Sequence, residues 1–130
     1  MTNEEKVTHW MRISDNDIVA AEAMVKAGQN LYAGFMCQQA VEKALKAYFI
    51  KAIDENHPFI HDLERLAKMT GLYESLSGEQ VLFLERLSPL YIEARYNDYK
   101  MSVSKSLTND VTKNILEQTK EFTQWLKKKM

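Results

Sequence analysis

Residues 31–53, LYAGFMCQQAVEKALKAYFIKAI, carry apolar side chains around most of a helical circumference and contain no proline. At ~100° per residue, Met36, Cys37, Ala40, Val41, Ala44, Leu45, Ala47, Tyr48 and Ala52 fill about half of the turn. Cys37, Ala40, Ala44 and Ala47 run down the middle of that arc. Such small side chains let a second helix approach closely. The segment therefore reads as the central helix of an all-α bundle. The opposite arc mixes Gln38, Gln39, Glu42, Lys43 and Lys46 with Phe35, Phe49, Ile50 and Ile53. Polar groups among aromatics suit a surface covered by a partner protein. The alternative is a solvated face with scattered apolar residues. The expected interface comprises Phe35, Gln38, Gln39, Glu42, Lys46 and Phe49. A second copy is the simplest partner, because two-fold homodimers are the commonest oligomers.

The remaining chain is helical by the same criteria. Four Gly and two Pro are spread over 130 residues, and no run alternates as a strand would. A first helix covers about residues 4–27, through Val7, Trp10, Met11, Ile18, Ala21, Met24 and Val25, and ends at Gly28. The SDND run at 14–17 leaves open whether this is one helix or two. DENHP closes the central helix at Pro58. His61 or Asp62 then caps a short helix that stops at Gly71. Ser77-Gly-Glu-Gln80 has capping-box spacing, and Pro89 must kink or restart the helix it begins. The chain resumes as LYIEARY to about Asn97. A polar loop leads to Thr108 or Asn109, which caps a last helix over about 109–128. Its stripe is Val111, Ile115, Thr119, Phe122 and Leu126. With no linker or repeat, residues 1–130 form one domain.

Seventeen basic against eighteen acidic residues leave a net charge of −1, which argues against coating nucleic acid through a broad basic surface. One small basic pocket remains compatible with it. Lys127, Lys128 and Lys129 suit the negative end of the last helix dipole. Cys37 is the single cysteine and reads as a buried thiol in a reducing cytoplasm. MTNEEKVTHW has no signal-peptide apolar region, and no apolar run approaches the ~20 residues that cross a bilayer. A cytoplasmic location is the expectation. His57 and His61 flank Pro58 in a loop with no cysteine nearby, so neither metal nor cofactor is expected. The last helix mixes Glu117, Lys120 and Glu121 on its polar face, and Trp125 suits the bundle better than a membrane.

CQQAVEKALKAYF at 37–49, HDLERL at 61–66 and YIEARYND at 91–98 together resemble, in order, the HEPN domains (higher eukaryotes and prokaryotes nucleotide-binding). The departures are Ile60, where Thr often stands before the family's His, and Asn97, where Pro is usual. The resemblance implies an up-and-down bundle of four to five helices, usually a homodimer. It also implies a minimal nucleotidyltransferase as a possible partner and a nucleotide such as ATP as a possible ligand.

Some such proteins are toxins that cleave RNA, using an Arg followed after four to six residues by His. In that chemistry Arg holds the scissile phosphate and His moves the 2′-hydroxyl proton. After Arg95 those positions hold Lys100, Met101 and Ser102, and Arg12, Arg65 and Arg86 also lack the His. The ribonuclease motif is absent, and RNA is not the expected partner. Arg95, Tyr96 and Asp98 still form a coherent group: Arg grips phosphate, Tyr stacks on a base, and Asp orients Arg or accepts from a sugar. Lys43 adds a second phosphate contact. The bland alternative pairs Arg95 with Glu42 or Asp98 as a tie between helices. Two other readings stay open: a metal-independent ribonuclease toxin of a toxin–antitoxin pair, and a purely structural interaction module.

Overall fold

A computed structural model of the chain describes residues 1–93 and 105–130. Arg95, Tyr96 and Asp98 lie outside the described residues. The first helix, α1 (Asn3–Lys26), begins with a capping box: the Thr2 hydroxyl accepts from the Glu5 amide, and the Glu5 carboxylate accepts from the Thr2 amide. It runs unbroken through SDND. Ser14 does not cap a new helix there because its hydroxyl donates across the bundle to the Ala40 carbonyl at 2.7 Å, fully buried. Gly28, at φ 73°, makes the turn that an L side chain would resist.

The second helix, α2 (Asn30–Ala52), is the centre of the molecule, and among the described residues α1 packs along it more extensively than any other pair of helices. Ala33, Cys37, Ala40, Ala44 and Ala47 are all fully buried, as the small-residue row requires. Burial pushes the Cys37 thiol up to about 11, against a smaller opposing pull from a Thr119 hydrogen bond and Lys120. Thiolate is the reactive form. Cys37 in the native protein should therefore resist an aromatic disulfide reagent at pH 8 for hours and react fully in denaturant. Labelling within minutes under native conditions would show that this packing opens.

Asp62 alone caps α3 (Leu63–Thr70), its carboxylate accepting from the Glu64 and Arg65 amides, and Gly71 at φ 81° ends it. The alternative cap, His61, is engaged elsewhere. A 3₁₀ turn, Tyr73–Ser75, leads to α4 (Gly78–Leu87), opened by the Ser77–Gln80 capping box. Pro89 breaks the helix, and one further turn, α5 (Leu90–Glu93), restarts it. The last helix, α6 (Asn109–Lys128), is capped by Thr108. Ile115, Thr119, Phe122 and Leu126 are buried along the expected stripe, and Val111 is half-buried.

Among the described residues there are five helices of eight residues or more and no strand. The expected all-α bundle is what forms. None of the described helices is long and apolar enough to cross a membrane.

Candidate functional site

Most of the mixed arc of α2 is inside the molecule, and only Ile53 at its end is exposed. Gln38, Glu42 and Lys46 are 0%, 2% and 4% exposed, and Phe49 is buried with them. These four cannot present their side chains to another molecule, which corrects the expected interface. Phe35 and Gln39 are half-buried at its edge. The cover is the chain's own α2–α3 connection, residues 53–62. His57 meets Trp10 of α1 edge-on at 4.7 Å between ring centroids, and Glu55 pairs with Lys6. Farther on, the His61 carbonyl accepts from Gln38 and the His61 ring bonds Glu42.

Polar side chains tolerate this burial because they satisfy one another along the helix. Lys43 Nζ donates to Gln39 Oε1 at 2.6 Å, Gln39 Nε2 to Gln38 Oε1 at 2.8 Å, and Gln38 Nε2 to Glu42 Oε1 at 3.1 Å. Lys46 Nζ donates to Glu42 Oε2 at 3.0 Å, completing a buried ion pair at i,i+4. His61 Nδ1 lies 2.9 Å from Glu42 Oε1. Burial pushes the Glu42 carboxyl up, but the bonds from His61, Gln38 and Lys46 outweigh it and hold the group below its ordinary value. An ionised carboxylate carries no proton, so Nδ1–H of His61 is the donor. The His61 side chain is 44% exposed, so the Nε2 edge of the ring faces outward when Nδ1 is turned to Glu42.

Lys43 faces the α1 side of the arc. Partial burial lowers its basicity, against the pull of Glu42 and Asp17. Asp17 responds in the opposite sense, burial raising its carboxyl against the attraction of Lys43. The two half-buried groups thus hold a positive and a negative charge near each other at reduced dielectric.

Tyr91 is the part that sequence reasoning passed over. Its ring stacks on His61 at 3.8 Å and 18°, and on Phe35 at 6.2 Å and 28°. Three local features put it there. Pro89 ends α4, the Ser88 hydroxyl accepts from the Leu63 amide at the start of α3, and Gly34 lets α5 close on α2. A Cβ on Gly34 would fall 2.9 Å from Leu90 Cδ1. A Tyr two residues after a helix-breaking Pro gave a weak signal for this, and the partner ring lies 30 positions away. The site thus brings together Gln38, Gln39, Glu42, Lys43 and Lys46 with His61, Tyr91 and Phe35. Arg95 follows Glu93, the last residue of α5, by two positions. No group of His, Cys, Asp or Glu among the described residues is arranged to hold a metal ion.

No curated protein and no solved structure matches the chain significantly. The profile of the HEPN domain matches residues 7–129. That span takes in the α2 network, the His61 connection, the Tyr91 turn and α6. With nearly all of its length matched, the chain belongs to the HEPN domain family.

Proposed function

We propose that this HEPN chain is a nucleotide-binding module without ribonuclease chemistry of its own. It works as a homodimer and serves a minimal nucleotidyltransferase partner. One observation carries the reading: a half-exposed His61 ring is anchored by buried Glu42 and stacked on Tyr91, and Tyr91 precedes Arg95 by four residues in the sequence. In this reading Arg95 takes a phosphate, Tyr96 stacks on the base, Asp98 orients Arg95 or accepts from the sugar, and Lys43 adds charge from α2. The absence of a His four to six residues beyond Arg95 removes the proton carrier that the ribonuclease branch requires.

Thermal melting with ATP tests the ligand. A nucleotide with Kd of about 0.5 mM, supplied at about 5 mM, stabilises by about 1.4 kcal/mol. At this chain length that raises Tm by about 4–5 °C. Arg95→Ala should abolish the rise and His61→Ala should at least halve it. No rise in the parent rejects nucleotide binding. Cleavage of total RNA by the parent but not by Arg95→Ala rejects the non-catalytic reading in favour of a toxin. Light scattering tests the dimer: a particle at the 15.1 kDa chain mass, rather than twice that, rejects it.

A further inference from the structure

Between α4 and α6 lies a groove of about 400 Å³ that the α2 network does not touch. Its floor is aromatic. Phe83 and Phe122 meet at 6.0 Å between ring centroids, and Phe122 and Trp125 at 5.6 Å. Its rim carries the exposed Glu79 and Glu121, neither of which forms a salt bridge among the described residues. Gln118 lines the same groove, and its Oε1 is shut from solvent with no donor. Ser77 and Gln80 complete the wall, but their side-chain oxygens already accept amides at the start of α4. The groove therefore offers an entering group two carboxylates and the half-buried Trp125 ring, with an unpartnered Gln118 amide oxygen in its wall. All of these favour a donor that carries positive charge. The chain itself samples that preference, since Lys129 Nζ sits 4.8 Å from the Trp125 ring centroid.

We infer that this groove binds an arginine side chain presented by a partner polypeptide. A guanidinium is planar and stacks on the half-buried Trp125 ring while its fork of N–H groups reaches Glu79 and Glu121. An ammonium is a point charge that cannot use both the ring and the two carboxylates. Turning the Gln118 amide toward a guanidinium N–H also gives its orphaned oxygen the donor it lacks.

Proton–nitrogen correlation spectra of the full chain test this, with N-acetyl-arginine amide as probe. Trp10→Phe identifies the Trp125 indole signal. The probe should shift the Trp125 indole and Gln118 side-chain amide signals saturably, with a midpoint of about 1 mM for a ligand of this size. N-acetyl-lysine amide should bind at least about fivefold more weakly, and the neutral N-acetyl-citrulline amide at least about tenfold more weakly. The Glu79→Gln/Glu121→Gln double variant changes only exposed side chains and should weaken the arginine probe at least about tenfold. The inference is overturned by shifts that do not saturate up to about 20 mM in this affinity range. Equal binding of lysine or citrulline, or undiminished binding in the double variant, overturns it as well.

Discussion

Glu42→Ala is expected to remove about 3–5 kcal/mol of stability, because it leaves a buried ammonium without its counter-charge. Lys46 is 4% exposed and its Nζ donates to Glu42 at 3.0 Å. The same truncation strips one of two acceptors from Gln38 Nε2 and the acceptor from His61 Nδ1. A domain of this kind has about 5–15 kcal/mol in total, so urea unfolding should show a large fall in midpoint. Replacing both members, as Glu42→Leu with Lys46→Met, should recover most of the loss, since apolar residues of similar volume often match or exceed a buried ion pair. A loss under about 1 kcal/mol in the single variant would mean that water reaches Lys46 and the network is not closed. Acid should expose the same contribution. The Glu42 carboxyl titrates below its ordinary 4.5 in the folded chain, so its stabilisation is present above that value and is lost as pH falls through the folded one. The gap in stability between the parent and Glu42→Gln should therefore narrow from pH 5 towards pH 3.

The helices were legible because their signals are local. Capping chemistry at Ser77 and Thr108, the stop at Gly71 and the break at Pro89 each act within a few residues, and each lies where the spacing predicted. The small-residue row of α2 was equally readable, since burial of one helix arc follows from periodicity alone. The other arc misled for a physical reason. A polar cluster on a helix looks like a surface whether water, a partner or the chain's own loop covers it. Only the 10-residue connection from Ile53 to Asp62, folding back to join Trp10 and Glu42, decides between them. Nothing in DENHPFIHD specifies that path. His61 was misjudged for a related reason: next to Asp62 at a helix start it resembles a cap, and its bond to Glu42 spans 19 positions. The HDLERL segment drew notice through its resemblance to HEPN chains, but the resemblance named a position and not an interaction.

Phe122→Ala should cost about 3–5 kcal/mol, comparable to the loss at Glu42 but by a different mechanism. Phe122 is 2% exposed on α6 and lies between Phe83 of α4 and Trp125 one turn along. Contact between α4 and α6 is otherwise sparse, so this ring is the main pin holding α4 to the last helix. Truncation removes the transfer energy of the ring and leaves a void that α4, packed on α3 and tied to it by the Leu63 amide–Ser88 hydroxyl bond, can only partly fill. At this chain length the loss corresponds to a fall in Tm of about 10–15 °C. The Phe83→Ala/Phe122→Ala double variant should lose less stability than the sum of the two single losses, because the two rings share one contact. A double-mutant cycle between them should give a coupling of about 0.5–1.5 kcal/mol. Additive losses within about 0.3 kcal/mol would show that Phe83 and Phe122 are buried independently. In that case α4 would be held from the α3 side alone, and the aromatic floor of the α4–α6 groove would have no mechanical role in the bundle.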